Sequence, residues 1–355
     1  MPEDRNKPLI FEEYPDLEGK VPWMRLVPTQ TPVKKLTKLE KILGINSLWV
    51  KCDDVSSPLY GGNKSRKMEF IYAEVIEQNM KKVLTAGAIG SNQCVANAIF
   101  CQKLGLKPIA VMIDQPVTSF VRDNLLLDLY FNNELYYSKE TIPKSDDIYY
   151  MAPGCSTPLG NLGYLDAAFE LKNQVDKGEI PEPDYIFVPT ASSGTASGLT
   201  MGVKLAGLKT HIHAVQTSFS GMANFKAIRR LSKKTQKYLN DLEVSIPDIT
   251  FEHLHYNEDY YGGEYGLPTK KCIEAINLLN AEEGISLEPT YSGKTFAALL
   301  GFVRKNKLKT KDKTIVFWNT FNSHDFSEII KKVDYHDLPQ ELHWVFEESL
   351  PDYGF

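Results

Sequence analysis

The stretch "SPLYGGNKSRKMEF" (57–70) decides how this chain is read. Two glycines and an asparagine lead into a run whose spacing predicts a helix over 64–82, and that helix begins with Lys64, Arg66 and Lys67. The N-terminal end of a helix dipole is positive and repels cations, so three of them there need a reason. A lysine among other cations at a helix start has its charged form disfavoured, which lowers its pKa from the free value of ~10.4. An accessible neutral lysine amine is a Schiff-base nucleophile. An anionic ligand beside it supplies a counter-charge; the alternative is a solvated basic helix end after a Gly-Gly turn.

Outward from this stretch, short apolar runs alternate with helical ones. Strands are expected at 47–54, 82–87, 107–113, 134–138, 184–190, 211–218 and 314–320. Helices are expected at 34–44 (closed by Gly44), 91–105, 118–131, 161–178, 198–207, 221–241, 269–284 and 294–308. That rhythm predicts βα units and a mainly parallel sheet. At 355 residues the chain has the length of about two domains.

A 43% apolar and 24% charged composition is that of an ordinary globular protein. The net charge of −5 argues against a nucleic-acid binder. The polar, acidic start "MPEDRNKPLIFEEYPDLEGK" does not read as a standard secretory signal. Two uncharged runs, 83–102 and 185–203, approach membrane-span length but are broken by Ser, Thr, Asn, Gln, Pro and Gly. They fit buried core carrying polar chemistry. Five cysteines (52, 94, 101, 155, 272) show no CxxC spacing, so a disulfide framework or zinc ribbon is not expected, and the chain reads as cytoplasmic with reduced thiols. Two HxH pairs, His211/His213 and His253/His255, each share a strand face if extended, but no third or fourth ligand is positioned by sequence, and no metal is expected. The basic run 229–237 reads as a solvated helix face.

Two further loops hand a strand over to a helix, the usual ligand position in open α/β sheets. "PTASSGTASG" (189–198) lets backbone N–H groups approach an anion closely at a helix start; its alternative is a flexible Ser/Gly turn. "GAIGSNQC" (87–94) puts Ser91 at an N-cap position with Asn92 and Gln93 in the first turn, more polar side chains than capping needs. "YSGKT" (291–295) imitates half a Walker loop, but the required upstream glycine is Glu288, which rejects that reading.

With these motifs in order, the chain resembles the D-cysteine desulfhydrase and 1-aminocyclopropane-1-carboxylate deaminase family, pyridoxal-phosphate enzymes of the tryptophan-synthase-β-like fold. The resemblance runs through "TPVKKLTKLEKILG" (31–44), "GGNKSRKMEF", "AGAIGSNQCVANA", "PGCSTPLGNLGYLDAAFEL" (153–171), "EYGLPT" (264–269), "LEPTYSGKTFAAL" (287–299) and "FWNTFNS" (317–323). It covers roughly residues 20–325. It implies an α/β, fold-type-II architecture of two mainly parallel sheets flanked by helices. The small domain is expected at 65–172, inserted in a large cofactor-binding domain of 1–64 and 173–355 whose end, 333–355, forms a C-terminal arm.

The resemblance also assigns roles. Lys64 matches the lysine that bonds to pyridoxal 5′-phosphate, and Asn92 the residue that hydrogen-bonds the ring hydroxyl. Ser193, Gly194, Thr195 and Ala196 match the phosphate loop. Ser91 falls near the reacting carbon and Gln93 beside the substrate carboxylate, with Asn92 between them. Tyr265 and Tyr291 match two active-site tyrosines. Thr320 and Ser292 compete for the pyridine nitrogen. Arg66 and Lys67 are left to solvation or packing. Four departures stand out. Ser292 replaces the deaminases' glutamate, and in a His-Thr-Gly-Gly pattern Asn319 replaces the histidine and Phe321 and Asn322 the two glycines.

The implied activity is β-elimination from a small amino acid, D-cysteine first, giving pyruvate, hydrogen sulfide and ammonia. Neutral Ser292 and Thr320 hydroxyls at the ring nitrogen would make a weak electron sink, which suits a good leaving group better than ring cleavage. Aminocyclopropane deamination, an L-cysteate-type sulfo-lyase activity and a cofactor-binding protein with little turnover are the alternatives. A homodimer is expected.

Overall fold

The computed structural model describes residues 4–137 and 144–352. Among the described residues, ten strands form two sheets. The larger contains β1 (Val33–Lys35), β2 (Ser47–Cys52), β7 (Tyr185–Thr190), β8 (His211–Gln216), β9 (Leu254–Asn257) and β10 (Thr314–Asn319) in the order β1-β2-β10-β7-β8-β9. Only the β1–β2 pair is antiparallel. The smaller contains β3 (Lys82–Ala88), β4 (Lys107–Ile113), β5 (Glu134–Tyr137) and β6 (Ile148–Met151), all parallel, in the order β5-β4-β3-β6.

The run "TIVFWN" is apolar almost throughout because β10 is a central strand covered on both faces. Ile315 and Phe317 enter one core, Val316 and Trp318 the other. On the first face lie α2 (Thr37–Leu43), α9 (Lys270–Glu283) and α10 (Ser292–Lys305); on the second, α6 (Pro158–Asp176), α7 (Gly194–Leu205) and α8 (Phe225–Asp241). A short helix α1 (Ile10–Glu13), α3 (Asn63–Glu77) and α4 (Asn92–Leu104) share a core with α6 and the smaller sheet. On that sheet's other face, α5 (Ser119–Tyr130) meets Leu338, Leu342 and Val345 of the C-terminal arm. No helix among the described residues is long and apolar enough to cross a membrane.

Several boundaries differ from expectation. The helix expected from residue 34 starts at Thr37, because Val33–Lys35 pairs with Lys51–Trp49 instead; Gly44 closes it in the left-handed region (φ 69°) as read. The strand from 47 stops at Cys52, where a 3₁₀ turn takes over. The helix expected from Gly221 starts at Phe225, where Asn224 Oδ1 accepts the Ala227 N–H at 2.7 Å. Strands β6 and β9 are additional to the expected set; β9 is an edge strand with only Leu254 buried. Ser138 and the ends of the expected large domain, residues 1–3 and 353–355, lie outside the described residues.

Candidate active site

A cavity of about 260 Å³ opens at the C-terminal ends of β3, β7, β8 and β10, where loops and helix starts converge. Among the described residues its only charged lining side chains are Lys64 and Glu288.

Lys64 reaches this cavity because of how α3 begins. A Cβ on Gly61 would stand 1.8 Å from the Asp54 carbonyl oxygen, and one on Gly62 (φ 81°) 2.6 Å from that of Thr320. Only glycines pass between these two walls. Asn322 Oδ1 accepts the Gly61 N–H at 2.7 Å, and the Thr320 carbonyl accepts that of Asn63 at 3.2 Å. Asn322, a departure from the family pattern, therefore fastens the lysine loop. Lys64 is partly buried, and its Nζ donates to Asn63 Oδ1 at 2.8 Å. Burial pushes its pKa below the ordinary lysine value, which favours the neutral amine.

The other two cations of the opening stretch are buried, not solvated. Arg66 Nη2 lies 2.8 Å from Asp53 Oδ1 and 2.8 Å from Glu170 Oε1. Asp53 Oδ2 also accepts from Tyr164 at 2.7 Å and Trp318 at 2.6 Å. Arg66 is thus neutralised in an ion network away from the cavity. Lys67 has no carboxylate partner: its Nζ donates to the Gly154 carbonyl at 3.0 Å, and burial, with Lys64 nearby, lowers its pKa to about 7.

Lys67 faces the 189–198 loop. A Cβ on Gly194 would meet Lys67 Nζ at 2.8 Å and Ser156 Oγ at 2.4 Å. Ser193 takes a left-handed conformation (φ 69°) and turns its hydroxyl to the Met222 carbonyl, so the first turn of α7 has no side-chain cap. Free amides at a helix start, a glycine cradle and a buried amine are a donor set for a phosphate. Thr195 Oγ1 accepts from Asn63 Nδ2 at 3.0 Å, linking this loop to the Lys64 loop. Ser193, Gly194 and Thr195 line the cavity; Ala196 is buried behind them.

At the start of α4, Ser91 is a true cap, accepting the N–H groups of Gln93 and Cys94 at 3.3 and 3.4 Å. Asn92 Oδ1 accepts from Asn124 Nδ2 at 3.0 Å. Gln93 is used structurally: its Nε2 donates to Thr85 Oγ1 and the Ala152 carbonyl, and its Oε1 accepts the Gly154 N–H. All three still line the cavity.

Opposite them, the hydroxyls of Tyr265 and Tyr291 hydrogen-bond to each other. Burial raises both pKa values above that of free tyrosine. Thr320 and Phe321 complete this wall, with Phe321 edge-on to Phe120 of α5. Ser292 does not line the cavity; its hydroxyl lies 2.9 Å from Glu288 Oε1. Glu288 does line it, and accepts the N–H groups of Thr290, Tyr291 and Ser292 at 2.7, 3.0 and 2.6 Å. A carboxylate therefore joins the Thr320 hydroxyl in lining the cavity, because Glu288, three residues before Tyr291, folds back onto the start of α10. Lys67, Asn63 and Glu288 were the residues missed. For Glu288 the available signal was an acid four residues before a helix start.

A family model described as "Pyridoxal-phosphate dependent enzyme" matches residues 24–320. The chain belongs to that family. Within the pyridoxal-phosphate-dependent enzymes, a D-cysteine desulfhydrase of Serratia proteamaculans is 30% identical over 321 residues, covering 85% of this chain and 94% of that protein. A solved structure described as an ACC deaminase homologue superposes with a TM-score of 0.73 at 25% identity, covering 92% of this chain and 99% of its own. Threonine deaminase isoform 2 from Solanum lycopersicum shares the fold alone, with a TM-score of 0.60, 16% identity and 96% of each chain covered. This pyridoxal-phosphate-dependent lyase therefore has the α/β fold-type-II architecture expected, within the D-cysteine desulfhydrase and ACC deaminase group. Its cavity fits the cofactor: the uncapped α7 start, the Gly194 cradle and Lys67 suit the phosphate, and Lys64 stands at the far side of Asn63.

Proposed function

We propose that this enzyme catalyses β-elimination from a small β-substituted amino acid, D-cysteine first, releasing pyruvate, hydrogen sulfide and ammonia. The observation that carries this reading is the hydrogen-bonded Tyr265–Tyr291 pair opening on the same cavity as the Lys64 amine. Bound pyridoxal phosphate withdraws electrons from the substrate Cα and so acidifies its proton. Lys64 is the residue to hold the cofactor covalently, and its amine, whose pKa burial lowers and which Asn63 orients, is the base for the Cα proton. Ser193, Gly194, Thr195 and Lys67 hold the phosphate, while Asn92 borders the ring. The Asn92 backbone N–H, which Ser91 does not cap, would receive the substrate carboxylate, and Ser91 would stand beside the reacting carbon. Thr320 and Glu288, which line the same cavity, would border the ring. The tyrosine pair, held protonated by burial, donates to the departing sulfur.

A second reading has its own support. The Glu288 carboxylate lines the cavity, and a carboxylate near the ring nitrogen favours the stronger electron sink that aminocyclopropane ring opening demands. The two are separated by measuring keto-acid and sulfide release from D-cysteine, L-cysteine and β-chloro-D-alanine against ammonia release from aminocyclopropane carboxylate. Faster turnover of the cyclopropane would sink the elimination reading. The proposal includes a homodimer, checked by light scattering. It also includes a reducing cytoplasmic setting, with which five buried, unpaired cysteines agree. The segment 65–172, which holds the smaller sheet, is proposed as the small domain.

A further inference from the structure

The outer wall of the cavity is apolar. Val111 and Ile113 come from the C-terminal end of β4, and Phe219 and Met222 from the turn that follows β8. Ile113 is 52% exposed, Phe219 47% and Met222 42%. Large apolar side chains standing in water cost free energy, and a cluster of them beside a cavity marks a surface that something apolar covers. The rim is continuous with the proposed chemistry: the Phe219 ring stacks on that of Tyr265, with centroids 5.6 Å apart and an interplanar angle of 23°. Tyr265 in turn bonds to Tyr291, the pair assigned to the leaving group.

Cysteine itself uses little of this wall, because its β-substituent is a single thiol. A sulfonate leaving group finds no cation on that wall, since among the described residues Lys64 is the only basic side chain lining the cavity. We infer that the rim of Ile113, Phe219 and Met222 receives an apolar group carried on sulfur, so that the preferred substrates are β-thioether amino acids, S-alkyl or S-aryl cysteines. This rests on the elimination reading and names its substrate class.

The chemistry balances without an oxidant or reductant. The Cα proton passes to the base, and the Cβ–S bond breaks with its electron pair on sulfur. The thiolate takes a proton from the tyrosine pair and leaves as the free thiol. The remaining 2-aminoacrylate tautomerises and is hydrolysed by water to pyruvate and ammonia.

The test uses the cofactor-loaded enzyme with S-benzylcysteine and cysteine, each as both enantiomers, following pyruvate and free thiol. Binding is read separately, from the change in cofactor absorbance on titration and from competition against D-cysteine. For the hand that is turned over, kcat/KM for the benzyl thioether should exceed that for cysteine by about 10- to 100-fold, mostly through KM, as expected for burying one aromatic ring. The exposed-position variants Phe219→Ser and Met222→Ser should bring that ratio down towards one. Cysteine turnover with no binding or turnover of the thioether would overturn the inference and leave the elimination reading standing. Equal losses on both substrates in the rim variants would overturn it too, making the rim a surface for closure only. No pyruvate from any substrate would sink the elimination reading, and the inference with it.

Discussion

Lys64 and Lys67 sit one helical turn apart, are both lysines, and are asked to do different things. Lys64 lines the cavity and donates to Asn63. Replacing it with alanine removes a partly buried side chain from a helix start, so the fold should survive while turnover falls by at least about a thousandfold. Near-wild-type keto-acid release from Lys64→Ala would end its assignment as base and anchor. Lys67 is a buried amine with no carboxylate partner among the described residues, and its pKa of about 7 lies below that of an unfolded lysine. The folded apoprotein therefore binds fewer protons than the unfolded chain between pH ~7 and ~10. Its stability should rise with pH across that window, and the full cost of the buried charge should be present below it. Lys67→Met should flatten this slope in thermal melts of the apoprotein and, by removing a charge-assisted bond to phosphate, weaken cofactor binding about 10- to 100-fold. Parallel pH profiles for the two proteins would refute the assignment.

Helix starts build the site, and they explain what could be read in the chain. The start of α7 was legible because an apolar strand, a small-residue loop and a helix follow one another without a break. Gly194→Val should raise the cofactor dissociation constant by more than about tenfold, since the new side chain would enter the space between Ser156 and Lys67. Unchanged cofactor titration would remove the phosphate assignment from this loop. The start of α4 was legible for the same local reason, although Gln93 is spent on Thr85, Ala152 and Gly154. The start of α10 was not. Its orphan amides are met by Glu288, whose side chain folds back from outside the helix, and no periodicity announces such a contact. Edge strand β9 escaped because half-exposed strands lose the apolar signal. The strand β1 escaped because only its pairing with β2 separates it from the adjoining helix.

At the scale of the whole molecule, the question raised by three cations at one helix start is answered by residues far off in sequence. Arg66 is held by Asp53, 13 residues away, and by Glu170, 104 residues away. Lys51 shares Glu170, and Arg5 makes a separate buried pair with Asp166 on the same helix, α6. None of these partners is visible from local spacing, which is why a solvated end was the natural reading. The network joins β2, α3 and α6, so it fixes the helix that carries Lys64 against the rest of the protein. Burial by itself would push the Glu170 pKa up, but Arg66 and Lys51 outweigh it and hold the carboxyl well below the usual range. A carboxylate depressed in the folded state stabilises fully above its unfolded pKa of ~4.3, and that contribution is lost as pH falls through the acid range. Glu170→Gln leaves Arg66 and Lys51 buried with less counter-charge and should destabilise the protein by about 3–5 kcal/mol at pH 7. Its stability should also fall less steeply than wild type between pH ~4 and ~2, because the group that titrates is gone. Chemical denaturation at pH 7 and acid titration followed by circular dichroism measure both effects. A variant as stable as wild type, or one with an unchanged acid profile, would show that the network does not fix α3.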